Sequence, residues 1–486
     1  MIDTTLCDRS AVELRNLIGS GAISPVELLD ACIARIEALN PAVNAIVAMD
    51  IDGAREQARR AERAVAQGET LGLLHGLPVG IKDLADTAGL TTTYGSPLFA
   101  GHVPETDERV VAAVRAAGAI ILAKTNTPEF GAGANTRNPV YGATGNPFDP
   151  SLTCGGSSGG SAVALACGML PLATGSDNGG SLRIPAGYCG VTGFRPSPGM
   201  VPSDKRPLGF SPLAVEGPMA RSVADACLLL AAQSGFDSCD PFSTPMDAGT
   251  LQTPEPLDLG TLRVAFSTDL GFAPVAQEIR DCFQDRIRHI RSAFDSCTEA
   301  TPELGDMHRT YAVLRAEGFL DRLLDLYERN PDGLGEVVRA NIEDALALSL
   351  TDHARAHAEQ TRAYRRTQTF FRDFDLLITP VTPVSPFPWT SVYVNSIDGE
   401  TLGSYFHWLA LTYGISATGH PACCIPCGVD PHGMPFGIQI VGPHKGDRFT
   451  LAAAHALEQF FAANPVLARA QPDRTRLEGV RNDFRT

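Results

Sequence analysis

Two serine-bearing glycine turns, close together in the chain, constrain the fold more than any other feature. They lie in the stretch from Cys154 to Arg195, which reads CGGSSGGSAVALACGMLPLATGSDNGGSLRIPAGYCGVTGFR. The turns span residues 155–160 and 177–181, and an apolar run separates them. Because glycine lacks Cβ and tolerates positive φ, such turns bring the backbone close to a ligand and aim several N–H groups at one point. The stretch therefore predicts an anion or oxyanion site beside serine hydroxyls.

The segments around these turns alternate between predicted strands and helices, which is typical of an α/β sheet. Short apolar strands are predicted at 77–81, 119–123, 170–174, 262–267, 375–379, 423–429 and 436–441, and helices at 105–117 and 161–168. Lys82 and Lys124 directly follow the first two strands. Ligands of open α/β sheets lie at the carboxyl ends of strands, so both lysines are candidates for chemistry.

We expect one large domain over residues 1–486, because the chain contains no internal repeat, low-complexity segment or clear linker. Residues 1–68 are predicted to be a helical preamble, in which Ser24 and Glu27 form a capping box with a proline at the first helical position. Residues from about 275 to 374 are mostly helical in pattern, and we expect them to form a cap over the sheet.

The charge and the cysteines restrict the partners. A net charge of −16 argues against nucleic-acid or anionic-membrane binding, which needs a basic face. The N-terminal residues do not resemble a signal peptide, and the 12 cysteines are scattered through apolar sequence. We therefore predict reduced thiols and a cytoplasmic protein. The C-x-x-C of Cys424 and Cys427 falls in a predicted buried strand without a second pair, so no metal or redox role is expected there.

Lysine is scarce. Only four of the 39 basic residues are lysines, namely Lys82, Lys124, Lys205 and Lys445. Arginine is not a proton acceptor near neutral pH, whereas a buried lysine can be one. A lysine in this background is therefore a better than usual candidate for a catalytic base.

Three chemistries fit the glycine turns to different degrees. The first turn matches G-x-S-x-G around Ser157 and around Ser158, which suggests a nucleophile elbow with His407 or His420 as base. A segment made only of Gly and Ser matches that pattern by composition, and structural histidines are the simpler interpretation. A phosphate loop is disfavoured because no Lys-Ser or Lys-Thr follows the glycines. The third chemistry is a serine activated by a desolvated lysine, and the residues alone do not choose between Lys82 and Lys124.

The blocks around these residues resemble the amidase signature family of serine hydrolases over nearly the whole chain. The resemblance rests on GGSSGGSAVALACGMLPLATGSDNGGSLRIPAGYCGVTGFRPSPG, LPVGIKDLADTAGLTTTYGS, AKTNTPEFG, GPMARSVADACLLL and TGHPACCIPCGVDPHGMPFGIQIVGP, which stand in the family's order. It implies a single α/β/α domain with a mixed central sheet covered by helices. It also implies catalysis without metal or cofactor.

The resemblance further implies a Ser–cis-Ser–Lys triad. Carried over onto this chain, Ser181 is the nucleophile, Ser157 follows a cis peptide and relays the proton, and Lys82 is the base. The implied oxyanion hole consists of the N–H groups of Asn178, Gly179, Gly180 and Ser181.

Other residues receive supporting roles from the same resemblance. Ser158 and Asp177 are expected to brace the glycine turns. Arg183 is expected to hold nearby loops, with binding of a substrate carboxylate as the alternative. Gly131 is expected to line the substrate pocket, and Lys124 is expected to have a structural role and not a catalytic one.

The sequence thus predicts an amidase that hydrolyses a small aryl or alkyl carboxamide through an acyl-enzyme, with esters and carbamates as related substrates. An apolar pocket is expected from Phe130, Tyr141 and the helical cap. The alternative is a glutamyl-tRNA amidotransferase A-type subunit that releases ammonia from glutamine for a partner, and a third interpretation is a catalytically silent binding protein. The predicted partner is a small amide, with no nucleic acid and no membrane, and a homodimer is the predicted assembly.

Overall fold

An 11-stranded mixed sheet forms the centre of the protein in the computed structural model, which describes residues 2–206 and 208–485. The strands run across the sheet in the order β1-β3-β2-β6-β8-β7-β14-β15-β11-β9-β10. Two short two-stranded ladders, β4–β5 and β12–β13, lie outside it. The strand bounds are β1 Ile46–Met49, β2 Pro78–Lys82, β3 Ile120–Thr125, β4 Arg137–Asn138, β5 Gly142–Ala143, β6 Leu172–Asp177, β7 Thr192–Arg195, β8 Val215–Ala220, β9 Arg263–Phe266, β10 Ser296–Glu299, β11 Leu376–Pro380, β12 Ser396–Ile397, β13 Glu400–Thr401, β14 Ala422–Val429 and β15 Pro435–Val441.

Helices cover this sheet. Their bounds are α1 Ala11–Gly19, α2 Pro25–Val43, α3 Ile51–Ala66, α4 Arg109–Ala116, α5 Gly159–Ala166, α6 Arg183–Cys189, α7 Val223–Gln233, α8 Gln277–Ile290, α9 Met307–Arg329, α10 Glu336–Leu346, α11 Leu350–Phe370, α12 Ala410–Ser416 and α13 Asp447–Ala462. Helices α5 and α6 are buried along their whole length. Small residues in both helices permit this close packing, since GGSAVALA and RIPAGYC place little bulk between helix and sheet.

The sheet is mixed because its strands pair in both directions. β2 pairs parallel with β3 and with β6, so the carboxyl ends of these three strands meet at one edge. β6 pairs antiparallel with β8, and the long hairpin of β14 and β15 joins this half to β11 and β9. Every residue of β2 and β3 is buried, as expected of parallel strands covered on both faces.

The predicted α/β fold with a mixed sheet is confirmed. Ser24 forms the predicted capping box with Glu27 at the start of α2. The sequence prediction missed four strands of the sheet, β1, β7, β8 and β10. β1, β7 and β10 have only four residues each, and β7 and β8 contain glycine or proline within TGFR and VEGPMA, which weakens any strand pattern.

Two predicted segments are therefore less purely helical than expected. The preamble contributes β1, which pairs antiparallel with β3. The cap contributes β10, which pairs parallel with β9 at the far edge of the sheet. In the cap, α9 packs against α10 and α11, and it also faces the cavity described below. Within the described residues, no helix combines the length and the apolar character needed to cross a bilayer.

Candidate active site

The parallel strands bring the candidate residues to one edge of the sheet. Lys82 is the last residue of β2, and Asp177 is the last residue of β6, two strands that lie side by side. The second glycine turn begins at the last residue of β6, and the first glycine turn ends in the first residues of α5. The two turns of the sequence therefore meet beside Lys82.

Lys82 contacts two serine hydroxyls. Its Nζ donates to Ser157 Oγ at 2.7 Å and to Ser176 Oγ at 2.9 Å, and its side chain is buried. Burial lowers the pKa of Lys82 to about 7, while the negative charges of Glu216 and Asp177 oppose this shift. The amine can therefore lose its proton near neutral pH while it touches a serine hydroxyl.

The first glycine turn presents Ser157 and ties itself to the second turn. The peptide bond between Gly156 and Ser157 is cis, as the resemblance implied. The Ser158 N–H donates to the carbonyl oxygen of Ser181 at 3.3 Å, and Ser158 Oγ donates to the carbonyl oxygen of Ser176 at 3.3 Å. Ser158 thus joins the two turns, and its hydroxyl faces the end of β6.

Asp177 organises the second turn through its buried carboxylate. This group accepts hydrogen bonds from the N–H groups of Gly180 at 2.8 Å and Leu182 at 3.2 Å. It also pairs with Arg183 at 3.0 Å and with Arg195 at 3.1 Å. Burial alone raises the pKa of Asp177, but the two guanidinium groups hold it well below its usual range. Asp177 is therefore a fixed anion that braces the turn.

Arg183 directs all of its N–H groups at the protein. Besides Asp177, they reach Ser416 Oγ at 2.6 Å, the Thr412 carbonyl oxygen at 3.0 Å and Gln439 Oε1 at 2.9 Å. An arginine has five such donors, and these three contacts together with the Nε and Nη2 contacts to Asp177 use each of them. Arg183 holds the turn in place, and it has no donor left for the alternative role of binding a substrate carboxylate.

Glycine is required in the second turn because other side chains fill the space around it. A Cβ on Gly179 would lie 2.1 Å from the Tyr311 hydroxyl, and one on Gly180 would lie 2.2 Å from Thr412 Oγ1. Gly180 also has φ near +130°. Its N–H, one of the four predicted oxyanion donors, is directed at Asp177. Tyr311 in turn donates from its hydroxyl to Asn178 Oδ1 at 3.1 Å, which holds that side chain.

A cavity of about 480 Å³ opens over Ser157, Ser176 and Ser181. Gly131 lines it, with φ near +73°, and a Cβ there would lie 3.5 Å from Ser157 Oγ. Part of the wall is apolar and includes Leu84, Phe99, Phe130, Leu314, Phe319 and Leu323. The cavity therefore leads from the serines to an aromatic and aliphatic surface that the cap supplies through α9.

Two details of the predicted pocket are wrong. Tyr141 does not contribute to this wall in the described part of the chain; its backbone bonds to Asn44 and Asn138 instead. The wall is also less apolar than expected, because it includes Asp86, Glu108, Lys205, Arg206, Glu216, Arg315 and Arg322. Two of these charges, Lys205 and Arg206, come from the segment between β7 and β8.

Lys124 is buried in a separate network. Its Nζ donates to the carbonyl oxygen of Ala85 at 2.5 Å and to the hydroxyls of Thr87 and Thr92 at 3.0 Å each. Asp83 lies 3.9 Å away. Burial lowers the pKa of Lys124 to about 8, and Asp83 opposes that shift. The contacts tie the segment after β2 to the end of β3, which agrees with a structural lysine.

The residues of the competing interpretations occupy other surroundings. His420 is buried with its ring nitrogens against Gln368 and Thr418, and His407 packs against His308 with ring centroids 4.2 Å apart. Cys424 and Cys427 are free, buried thiols within β14, and burial raises the pKa of each. No group of three His, Cys, Asp or Glu side chains suited to a metal ion occurs within residues 2–206 and 208–485.

Two residues that sequence reasoning missed belong to this site. Ser176 precedes Asp177 in β6 and accepts from Lys82, and Arg195 ends β7 and pairs with Asp177. Arg195 Nη1 also donates to the Asp177 carbonyl oxygen at 2.6 Å. Both lie inside the stretch from Cys154 to Arg195, so proximity to the glycine turns was the available signal.

Comparisons with known proteins agree on one family. The family model described as Amidase matches residues 27–451. An acylamidase of Rhodococcus erythropolis is 35% identical, with 92% of this chain and 94% of that protein covered. The A-type subunit of a glutamyl-tRNA(Gln) amidotransferase from Picosynechococcus sp. is 33% identical over 90% of this chain and 94% of its own length. The crystal structure of a bacterial aryl acylamidase of the amidase signature enzymes superposes with a TM-score of 0.87 at 29% identity, with 94% of this chain and 96% of that chain covered.

Proposed function

The chain belongs to the amidase signature family and is a hydrolase that acts on amide C–N bonds; on this premise, we propose a stand-alone amidase with Ser181 as nucleophile, Ser157 as proton relay and Lys82 as base. The observation that carries the proposal is the 2.7 Å hydrogen bond between Lys82 Nζ and Ser157 Oγ. A desolvated amine with a pKa of about 7 is a competent base at neutral pH.

In the proposed acylation step, Ser181 Oγ attacks the carbonyl carbon of the amide. Its proton passes to Ser157 Oγ while the Ser157 proton passes to Lys82 Nζ, so the lysine becomes an ammonium. The C–N bond then breaks, and the leaving amine takes a proton back along the same path. Water attacks the acyl-enzyme in the second half, releases the carboxylic acid and restores Ser181.

The oxyanion that forms in each half-reaction needs fixed donors. We assign this role to backbone N–H groups of the second turn, at Asn178, Gly179 and Ser181. The Gly180 N–H holds the turn through Asp177 instead. Removal of one oxyanion donor commonly costs about 3 kcal/mol of transition-state stabilisation, because preorganised donors act where the charge develops.

The cavity supports a small aryl or alkyl carboxamide as substrate. Its aromatic and leucine-rich wall near Phe130 and Phe319 suits an apolar acyl or amine group, and its volume of about 480 Å³ admits a small molecule. Esters and carbamates would pass through the same acyl-enzyme. Catalysis would need no metal or cofactor, since the serines and Lys82 carry every proton transfer in this scheme.

A glutaminase subunit is the second candidate, and the 33% identity to an A-type amidotransferase subunit favours it. Such a subunit would use the same nucleophile and release ammonia for a partner. The aromatic and leucine-rich part of the cavity wall favours an aryl or alkyl amide, because a small polar substrate such as glutamine gains little from burial there. The charged part of the wall, which includes Arg206, Arg315 and Arg322, is where the carboxylate of glutamine would bind.

The test uses purified protein without partners. It is treated with a fluorophosphonate probe, the labelled peptide is mapped by mass spectrometry, and aryl amides, alkyl amides, esters, carbamates and glutamine are assayed. Label on Ser181 with turnover of an aryl or alkyl amide is the expected result. Label on Ser158 contradicts the triad, and turnover of glutamine alone supports the glutaminase.

We also propose a cytoplasmic homodimer. The described cysteines are free thiols, most of them buried, which suits a reducing compartment. Fractionation of the native host tests the location, and light scattering of the purified protein tests the assembly. A monomer or a mixed complex contradicts the homodimer.

A further inference from the structure

Glu216 brings a carboxyl group to the catalytic cavity that the triad does not use. It lies in β8, where its Cα is the direct partner of Ser176 in the antiparallel pair β6–β8. Directly opposed residues of an antiparallel pair project their side chains from the same face, with Cβ atoms about 5 Å apart. Glu216 therefore stands beside the hydroxyl that accepts a hydrogen bond from Lys82 Nζ.

The charges that act on Glu216 or on Lys82 come from several elements. They are Lys82 at the end of β2, Asp177 at the end of β6, Glu108 before α4, Arg206 between β7 and β8, and Arg322 on α9. Burial raises the pKa of Glu216 and Glu108 adds to this effect, while Lys82, Arg322 and Arg206 oppose it, so a proton on Lys82 favours the ionised carboxylate. Among the described residues, none forms a hydrogen bond or a close ion pair with the Glu216 carboxyl.

Two carboxyl groups, those of Asp177 and Glu216, act on Lys82, and they differ in their ion pairs with other side chains. Asp177 is already paired with Arg183 and Arg195. Glu216 has no such fixed counter-ion within the described chain and lines the same cavity as Ser157 and Ser181. Of the two, Glu216 is thus the one whose charge is free to respond to the protonation of Lys82.

We propose that Glu216 is the counter-charge of Lys82 during catalysis, a positioning residue that acts on the reaction through that lysine. The inference rests on the proposed role of Lys82 as base. When Lys82 takes the serine proton, an ammonium forms in a desolvated site, and a facing carboxylate stabilises it. The same carboxylate raises the pKa of Lys82, so the lysine keeps its proton to a higher pH.

The experiment compares Glu216→Gln with the wild type. The rate of Ser181 labelling by the fluorophosphonate probe is measured from about pH 5.5 to 10, together with kcat/KM for an aryl amide. Loss of the carboxylate destabilises the ammonium, so the acid limb of both profiles moves to lower pH by about half to one unit. A less basic lysine also lowers the plateau of kcat, whereas KM changes by no more than about 2-fold.

Two further variants make the test specific. Glu216→Asp keeps a carboxylate but withdraws it by one methylene, so its acid limb lies between those of the wild type and Glu216→Gln. Glu108→Gln is the control, because it removes another carboxyl group from the same cavity wall. Glu108 acts on Glu216 and not on Lys82, so the acid limb of this variant does not move to lower pH. Circular dichroism verifies that each variant is folded.

The outcomes separate this inference from the proposed function. Label on Ser181 with superimposable profiles for the wild type and Glu216→Gln overturns the role of Glu216 alone. An equal shift in Glu108→Gln also overturns it, because the effect then belongs to the cavity charge as a whole. A wild type that the probe labels elsewhere than Ser181 overturns the triad and this inference together.

Discussion

Lys82 and Lys124 have nearly the same position in the fold and different surroundings. They lie at the carboxyl ends of the adjacent parallel strands β2 and β3, and both are buried. Burial lowers the pKa of each, to about 7 for Lys82 and about 8 for Lys124. Their contacts differ: Lys82 donates to two serines at the cavity, whereas Lys124 donates to a carbonyl oxygen and two threonines in the interior.

The comparison shows that desolvation alone does not identify a catalytic base. Both amines are desolvated, but a base also needs a proton donor within hydrogen-bond reach and a path to the substrate. Lys82 has Ser157 at 2.7 Å beside the cavity. The partners of Lys124 lie in the segment after β2, and their hydrogen bonds to Lys124 fix that segment against the end of β3. The same residue type at equivalent strand ends therefore supports chemistry in one place and stability in the other.

The largest effect is expected for Lys82→Met, which keeps the volume of the side chain and removes the amine. We expect kcat/KM for an aryl amide to fall at least about 10³-fold, because the relay to Ser181 loses its base. The free energy of unfolding should change by no more than about 1 kcal/mol, since two lost hydrogen bonds are offset by removal of a desolvated amine. Urea unfolding and steady-state kinetics measure both, and an active Lys82→Met protein contradicts the assignment.

The matched variant Lys124→Met should produce the opposite result. It leaves Asp83 and the carbonyl oxygen of Ala85 buried without their cation, so the free energy of unfolding should fall by about 3 kcal/mol. In the folded fraction, active-site titration with the probe should give a kcat within about 5-fold of the wild type. A stable but inactive Lys124→Met protein would reopen the choice of base.

Ser176→Ala sharpens the comparison, because it removes one of the two hydroxyls that distinguish Lys82 from Lys124. The lost hydrogen bond at 2.9 Å should leave Lys82 less well oriented toward Ser157. We expect kcat/KM to fall about 10-fold, equivalent to about 1.4 kcal/mol. Ser203→Ala, at another serine that lines the cavity, is the control and should retain the wild-type rate. Equal losses in the two variants would show that Ser176 has no special role.

The smallest effect concerns pH. The pKa of Lys82 is lowered from 10.5 to about 7, so the amine is neutral above pH 7 and protonated below it. Activity should therefore rise as the pH increases through about 7 and then level off. In Lys124→Met this acid limb should stay within about 0.2 pH units of the wild type, because charges on Lys124 are not among the groups that act on Lys82. A clear displacement of the limb would mean that the two lysines are coupled.

Much of the fold and of the site was predictable because it is encoded locally. The glycine turns are recognisable in the sequence because consecutive glycines are uncommon outside such turns. Gly179 and Gly180 are needed there, since a Cβ on either would collide with Tyr311 or Thr412. The start of α2 was predictable from its capping box and its proline. The strands β7 and β8 were not predictable, because they become strands through their pairing with β14 and β6 and not through their own residues.

The parts of the site that were missed depend on contacts between distant segments. Arg195 pairs with Asp177 from β7, which β8 separates from β6 in the sheet, and Glu216 reaches the site through the register of β8 against β6. The direction of the Gly180 N–H toward Asp177 depends on the final shape of the turn. None of these has a signature in local spacing.

The sequence by itself determined which groups are available: two serines in glycine turns, an acidic residue to brace them, and a scarce lysine at each of two strand ends. Only the tertiary structure decided which lysine meets a serine. That contact joins residues 75 positions apart, and it depends on the placement of β2 between β3 and β6. Because side-chain contacts across a sheet are set by strand order and register, local sequence leaves them open and the packed fold decides them.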